Sequence, residues 1–271
     1  MNLRTQWVSE CWRLAGEKAD LYAGCRKILR TQVLQFELDD SLTLQDAGYT
    51  QSKLTMLRKN YFHAESHKIG RLLWEKRLGQ AKYGSVGFTC YAHFVKGGTI
   101  DAKRSKRASV FGPCIQSVVL TWVDKRTTDV DVFYRTTELF KKFAPDLVFI
   151  RDVLLEGFPL SANPTLTAHF ANITMHPMYA VTTFPHLPDP IATLNKLKHQ
   201  DKYFYDWVIK WSARYLCPEF FRGIAKFSQA VRVQMDANKR LDKKTLKRLQ
   251  KYVRDNHPGY RGDYVDPDED E

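Results

Sequence analysis

The feature that most constrains the fold is an alternating segment near the middle of the chain. Apolar residues alternate with smaller or polar ones from Ser117 to Trp122, and after a polar stretch at 124–129 the alternation resumes from Val130 to Tyr134. A period of two is typical of half-buried β-strands, and the polar stretch supplies a turn. The sequence therefore predicts an antiparallel β-hairpin with a longer connecting loop.

The rest of the chain combines helical and strand-like segments. Apolar residues that recur every three or four positions predict helices, whereas clusters of β-branched and aromatic residues predict strands. In chain order, the predicted helices are 7–15, 21–29, 52–80, 145–157 and 236–256, and the further predicted strands are 35–38, 83–95 and 168–184. A basic, glycine-containing loop is predicted at 97–112, and two or three helices are expected after the Pro-rich turn at 185–190.

The charge balance favours phosphate-bearing partners. Among 271 residues, 42 Lys and Arg face 30 Asp and Glu, which gives a net charge of +12. A surplus of this size suggests nucleic acid, nucleotides or an anionic membrane surface. No apolar run of about 18 residues occurs, so no transmembrane helix is expected, and the N-terminus lacks the apolar core of a secretory signal.

The cysteines are odd in number and widely spaced. The five are Cys11, Cys25, Cys90, Cys114 and Cys217. Because no Cys-x-x-Cys pair occurs, neither a disulfide framework nor a structural zinc site is expected. A reducing, cytoplasmic setting fits this usage. Each cysteine is then either a small buried apolar residue or a reactive thiol.

Residues that could form a catalytic centre frame the hairpin. Gly112-Pro113-Cys114 precedes it, Tyr134-Arg135-Thr136-Thr137-Glu138 ends it, and Asp146 follows eleven residues after Arg135. This window resembles the catalytic core of the thymidylate synthase and deoxycytidylate hydroxymethylase superfamily. In that family a Pro-Cys nucleophile begins a strand, a second strand ends in Arg-Ser-x-Asp, and an Asn lies eleven residues beyond the Arg. The spacing matches without gaps from Cys114 to Asp146.

The resemblance implies a fold and an assembly. The expected fold is α/β and thymidylate synthase-like, with a mixed, largely antiparallel sheet flanked by helices. One domain should cover 1–262, followed by an acidic, flexible tail at 263–271. Family members dimerise through the sheet, so a homodimer is expected, with methylene-tetrahydrofolate as the one-carbon donor. Phage-type DNA modification pathways use such enzymes, which would place the chain in a host cytoplasm.

Cys114 is the expected nucleophile. A thiol with a pKa of about 8.5 is mostly protonated at neutral pH, and neighbouring cations increase the thiolate fraction. The basic loop before Cys114 and Arg135 beyond the hairpin could supply those cations. In the family, the thiolate adds to carbon 6 of a pyrimidine, which makes carbon 5 nucleophilic toward a one-carbon unit. The alternative is a buried structural cysteine.

The end of the second strand carries the expected ligand-binding residues. The resemblance assigns Arg135 to the nucleotide 5′-phosphate, which suits a forked guanidinium, with the Thr136 hydroxyl as a helper. It assigns Glu138 to the pterin of the folate. The alternative for Arg135 is a surface charge at the end of a strand.

Asp146 stands where the family has the Asn that recognises uracil. An Asn can accept from the uracil ring N–H and donate to its carbonyl. An Asp can accept from the cytosine amino group and share a proton with ring nitrogen 3, so the change favours dCMP. The alternative is a carboxylate near the start of a helix, stabilised by the helix dipole.

Three further residues follow from the resemblance. His176 and Tyr179 lie where a His-x-Tyr pair holds the sugar hydroxyl, although the spacing has one extra residue and Pro177 interrupts it. Glu65 and Glu75 are the carboxylates nearest to the position of a general acid/base Glu, and Glu65 is the candidate. The alternative for His176 and Tyr179 is ordinary packing.

The last predicted helix is strongly basic. Eight Lys and Arg lie between Lys239 and Arg254. Such a run is either a solvated helix face or an electrostatic surface for nucleic acid or another acidic partner.

The predicted function is hydroxymethylation of dCMP at carbon 5 by a Cys nucleophile and methylene-tetrahydrofolate. The alternatives within the family are a dUMP hydroxymethylase and a dCMP or dUMP methyltransferase. The alternative of another class is a non-catalytic, basic nucleic-acid-binding protein.

Overall fold

The chain divides into two compact units. A computed structural model describes residues 1–62, 64–78, 83–89, 95–96, 99–100, 114–124, 126–216 and 229–257. The sheet unit combines Met1–Glu10 with Ile28–Thr174, and the helical unit combines Cys11–Lys27 with Met175–Glu271. The single domain over 1–262 stays a prediction, and the predicted tail at 263–271 lies outside the described residues.

The described strands form a six-stranded sheet and a two-stranded sheet. They are β1 (Leu21–Ala23), β2 (Arg26–Glu37), β3 (Tyr83–Thr89), β4 (Val95–Lys96), β5 (Thr99–Ile100), β6 (Ile115–Val123), β7 (Arg126–Glu138) and β8 (Leu160–Met175). The order in the larger sheet is β1-β2-β8-β7-β6-β3, and β4 pairs with β5. β6 runs antiparallel to β3 and β7, whereas β8 runs parallel to β7.

The described helices belong to both units. They are α1 (Leu3–Gly16), α2 (Gln51–Tyr61), α3 (Ala64–Leu78), α4 (Phe143–Phe149), α5 (Pro177–Ala180), α6 (Pro190–Gln200), α7 (Lys202–Tyr215), α8 (Gln229–Arg240) and α9 (Lys243–Asn256). A π-helical turn at Ile150–Leu154 continues α4, and a 3-10 helix at Val181–His186 continues α5. The predicted α/β class with a mixed sheet flanked by helices is confirmed, and the thymidylate synthase-like fold stays a prediction.

The predicted hairpin is confirmed as β6 and β7. Val118, Leu120 and Trp122 on β6, and Val130 and Val132 on β7, are all fully buried. They lie on one side of the sheet, because every second side chain of a strand points to the same face. The alternation that predicted the strands therefore marks the buried face of the sheet.

An aromatic core fixes α4 against the buried face of the sheet. The ring of Phe143 lies 5.5 Å from that of Phe36 on β2, 5.8 Å from Tyr134 on β7 and 5.2 Å from Phe170 on β8. Every residue of α4 is buried, including Asp146. The core therefore carries a carboxyl group into the interior.

Near the unit boundary, one predicted element is wrong and another is confirmed only as far as the break at Pro177. Residues 21–29 form β1 and the start of β2 rather than a helix, because Gly24, with a φ of 54°, reverses the chain between them. The predicted strand at 168–184 is β8, which ends at Met175, and Pro177 then occupies the first position of α5. Proline suits that position because its missing N–H has no partner there.

Other element boundaries also differ from prediction. The helix predicted over 236–256 is two helices, since the Asp242 side chain accepts hydrogen bonds from Lys244 N and Thr245 N and so begins α9. In the described chain, four helices rather than two or three follow the Pro-rich turn. The loop predicted at 124–129 is shorter, because β7 begins at Arg126. Most of the predicted loop at 97–112 lies outside the described residues.

The helices of the described residues include none that is both long enough and apolar enough to cross a bilayer.

We predict that Phe143→Ala lowers the free energy of unfolding by about 3–5 kcal/mol, because it leaves a cavity among three aromatic rings. Urea denaturation followed by circular dichroism measures the change. The matched control is Tyr83→Ala, where the side chain is 72% exposed and the cost should stay below about 1 kcal/mol. Equal losses in the two variants would show that α4 is not anchored by this core.

Candidate active site

The hairpin places Cys114 at the start of β6. The carbonyl of Cys114 accepts a 2.9 Å hydrogen bond from the backbone N–H of Arg135, and Ile115 pairs with Tyr134 in the register of β6 and β7. The thiol is partly exposed and forms no disulfide. As predicted, Cys114 begins a strand, and it lies beside the strand end that carries Arg135.

The last residue of α2 lies close to this thiol. The side chain and the backbone of Cys114 both act on the pKa of the Tyr61 hydroxyl, which places the hydroxyl beside this residue. Burial raises the pKa of Tyr61 well above its ordinary value, and the negative charges of Asp146 and Cys114 raise it further. Tyr61 is therefore a neutral phenol at physiological pH, and its O–H can donate to the sulfur.

Asp146 brings a buried carboxyl group to the same place. It is 4% exposed, and its burial raises the pKa of the carboxyl to about 7 despite the opposing positive charges of Lys53 and Lys142. Within the described residues, no group donates a hydrogen bond to this carboxyl. A buried polar group without a partner normally costs stability, which indicates a functional role.

The helix-start alternative for Asp146 stays open, because Asp146 lies in the first turn of α4, where the helix dipole favours a carboxylate. The N-cap of α4 is Lys142, and its side chain makes no capping bond. Asp146 is the fourth residue of the helix, and its own N–H donates to the Lys142 carbonyl at 3.3 Å. Its carboxyl therefore does not cap the helix.

Lys53 on α2 completes the cluster, and sequence reasoning missed it. Its pKa is lowered by burial first of all and by Lys142 and Lys141, whereas the charges of Asp146 and Cys114 raise it. The Nζ atom lies 4.9 Å from the centre of the Tyr49 ring. We call Lys53, Tyr61, Cys114 and Asp146 the Cys114 cluster.

A weak signal for Lys53 and Tyr61 was present in the sequence. Lys53 precedes Leu57 by four residues and Tyr61 by eight, so the three lie on one side of a helix. Leu57 is buried. That spacing indicates a lysine and a tyrosine on the core side of α2, but it does not indicate that they meet Cys114.

The other predicted site residues lie at the end of β7, the strand that pairs with β6. Arg135 and Thr136 are partly exposed, and Thr136 pairs with Asn172 of β8. The Oε2 atom of Glu138 accepts a 2.6 Å hydrogen bond from the N–H of Lys141. The backbone bond between Arg135 and Cys114 brings the predicted phosphate ligand to the nucleophile, while its role stays a prediction.

Glu65 lies in the first turn of α3 and is exposed. The charges that act on Asp146 in the described residues are Lys53 and Lys142, and Glu65 is not among them. The other carboxylate considered, Glu75, forms an ion pair with Arg71 one turn earlier at 3.6 Å. A general acid/base role for Glu65 stays a prediction without added support.

His176 and Tyr179 meet each other in the helical unit. Their ring centres are 5.6 Å apart. The Nδ1 atom of His176 accepts a 3.1 Å bond from Met178 N at the start of α5, and Nε2 lies 3.2 Å from the Cys25 sulfur. Because Nδ1 accepts, the ring proton is on Nε2 and points toward the sulfur. Their predicted contact with the sugar stays a prediction.

Comparisons with known proteins identify no relative. No protein-family model matches the chain, and no curated protein matches it. Among the described residues, no group of three or more His, Cys, Asp or Glu could hold a metal ion. The case for a function therefore depends on the chemistry of the Cys114 cluster.

We predict that Asp146→Asn raises the free energy of unfolding at about pH 8 by up to roughly 4 kcal/mol. The pKa of the carboxyl is 3.8 ordinarily and about 7 in the folded chain. The contribution of this carboxyl to the free energy of unfolding is therefore fully present below its ordinary pKa. It is lost as the pH rises through the pKa of the folded chain. The gain of the variant should shrink toward zero near pH 4.

Chemical denaturation at several pH values measures this difference. The control is Glu65→Gln, which removes an exposed carboxylate and should show no such gain above neutral pH. An Asp146→Asn variant that is less stable than the parent chain at high pH would contradict the burial of an unpartnered carboxyl.

Proposed function

We propose that the chain transfers a one-carbon unit to carbon 5 of a pyrimidine deoxynucleotide, with dCMP as substrate and 5-hydroxymethyl-dCMP as product. The observation that carries the proposal is the closeness of Tyr61 to Cys114, together with the buried carboxyl of Asp146, which accepts no hydrogen bond from the described residues. A thiol that can act as nucleophile, a neutral phenol that can donate a proton and a carboxyl that holds a proton near neutral pH suit this reaction.

Cys114 is the nucleophile in this proposal. Its thiolate adds to carbon 6 of the pyrimidine, and the electron pair of the 5,6 double bond moves to carbon 5, which then attacks the one-carbon unit. The Tyr61 hydroxyl donates to the sulfur, and a hydrogen bond to an anion is stronger than one between neutral groups. The positive charge of Lys53 acts on the same thiol.

Asp146 recognises the base in this proposal. With a pKa of about 7, the carboxyl is about half protonated at neutral pH. The protonated form donates its O–H to ring nitrogen 3 of cytosine, and its carbonyl oxygen accepts from the amino group. Because the carboxyl is buried, a base that leaves these groups unpaired loses about 1–3 kcal/mol.

Methylene-tetrahydrofolate would be held through Glu138. A carboxylate accepts hydrogen bonds, and the N–H groups of a pterin are donors. The folate would supply the carbon of the hydroxymethyl group and water would supply its oxygen. The proton of carbon 5 would be lost, and the Cys114 thiolate would leave carbon 6 so that the 5,6 double bond is restored. Two alternatives within the family use the same site. One is a methylated base as the product, and the other is dUMP as the substrate.

The phosphate and the assembly complete the proposal. Arg135, with Thr136 beside it, would hold the 5′-phosphate next to the nucleophile, because its backbone is bonded to that of Cys114. A homodimer would form on the sheet face opposite the core. On that face Phe133 is 39% exposed and its ring stacks on His169 at 4.6 Å, which offers apolar surface to a second copy.

We predict that Cys114→Ser abolishes release of tritium from carbon 5 of labelled dCMP, since the thiolate must add before that bond breaks. Tyr61→Phe keeps the ring and removes the donor, so kcat/KM should fall about tenfold to a hundredfold. Cys25→Ala is the matched control and should retain activity. Substantial tritium release by the Cys114→Ser variant would remove this thiol from the mechanism.

We predict that Asp146 sets both base choice and a pH limit. Because the proton of Asp146 is needed for cytosine, kcat/KM for dCMP should fall as the pH rises above about 7. In the Asp146→Asn variant this fall above pH 7 should disappear. The ratio of kcat/KM for dUMP to kcat/KM for dCMP should rise by about tenfold or more. A parent chain that prefers dUMP, with an unchanged ratio in the variant, would overturn the cytosine assignment.

A further inference from the structure

Helix α9 is divided into a buried stripe and a cationic face. Leu249 and Val253 are buried, and the Gln250 side chain donates to the Leu216 carbonyl at 2.8 Å. The opposite face carries Lys243, Lys244, Lys247, Arg248, Lys251 and Arg254, all exposed. At 3.6 residues per turn, these six side chains occupy an arc of about 140° that faces away from the buried stripe. We call them the α9 basic face.

Most of these cations have no acidic neighbour. Lys251 is bonded to Asp255 at 2.9 Å. The side chains of the other five make no ion pair or hydrogen bond with the described residues. The nearest further acid along the chain, Asp242, is already engaged as the N-cap of α9. A charged surface that is not neutralised by its own chain favours a polyanionic partner.

We propose that the α9 basic face binds the phosphodiester backbone of nucleic acid. Its charges recur along about 15 Å of helix, which matches a ligand with regularly repeated negative charges. The apolar stripe of α9 is buried against the helical unit, so the helix has no apolar face to insert into a lipid surface. Phosphate contacts of this kind carry no base specificity.

Neighbouring residues extend this surface. The Nζ atom of Lys198 on α6 donates to the Asn256 side chain at 3.1 Å, which places another cation at the end of α9. Lys239 lies in the last turn of α8, and two residues separate that helix from α9. The Tyr252 hydroxyl bonds to Asn195 at 2.8 Å and to Tyr205 at 3.0 Å, which holds α9 against α6 and α7. The basic face is therefore carried on a fixed helix.

The test is the salt dependence of binding to labelled duplex and single-stranded DNA, measured with the full chain by fluorescence anisotropy. If the six cations each neutralise one phosphate, the logarithm of the binding constant should fall with the logarithm of salt with a slope of about −5 for duplex and about −4 for single strands. The variant Lys244→Gln/Lys247→Gln/Lys251→Gln removes the centre of the face. Its slope should shrink by about 3, and its affinity should fall about a hundredfold near 0.1 M salt.

Two control variants separate this face from net charge and from folding. The variant Lys59→Gln/Lys68→Gln/Lys76→Gln removes three exposed lysines from α2 and α3 and should keep the slope of the parent chain. The variant Lys244→Arg/Lys247→Arg/Lys251→Arg keeps the charge and should also keep the slope. Cys114→Ser should bind nucleic acid unchanged, so this result is independent of the proposed catalysis.

Several results would overturn the proposal. The first is an equal loss of slope in the two Gln variants. The second is no binding to either DNA at about 50 mM salt. The third is an unchanged slope in the variant Lys244→Gln/Lys247→Gln/Lys251→Gln. Binding of phosphatidylserine vesicles in place of DNA, lost in the α9 variant, would also overturn it and would identify a membrane surface.

Discussion

The buried carboxyl of Asp146 is the constraint on which the rest of the site depends. Four aromatic rings, those of Phe36, Tyr134, Phe143 and Phe170, hold α4 against the sheet and leave this carboxyl in the interior. Its pKa is raised to about 7 because burial outweighs the nearby lysines. The folded chain therefore carries a buried carboxyl whose ionised form is unfavourable.

Two elements that are remote in sequence bring the reactive groups to that carboxyl. The hairpin places Cys114 beside the strand end that carries Arg135, through a backbone bond that does not depend on either side chain. Helix α2 brings Tyr61 close to Cys114, and it brings Lys53 within the influence of the charges of Asp146 and Cys114. The position of the proposed nucleophile thus depends on β-sheet register, whereas the positions of Tyr61 and Lys53 depend on the packing of α2.

The sequence predicted those parts of the site that lie within one continuous stretch of the chain. The alternation of the hairpin and the spacing from Cys114 to Asp146 are local, so the confirmed strands and the approach of Cys114 to β7 followed from them. Tyr61 and Lys53 were missed because only tertiary packing brings α2 to Cys114. Residues 21–29 were wrongly predicted as a helix because a short apolar pattern suits either structure, and the turn at Gly24 decides between them.

The most direct test of the account is mass spectrometry of the chain after incubation with 5-fluoro-dCMP and methylene-tetrahydrofolate. Fluorine cannot leave carbon 5 as a proton does, so addition of the thiolate to carbon 6 should be trapped as a covalent adduct. The account predicts an adduct on the peptide that contains Cys114, and none in the Cys114→Ser variant. An unmodified chain, or an adduct on another cysteine, would contradict the central role of Cys114 and its neighbours.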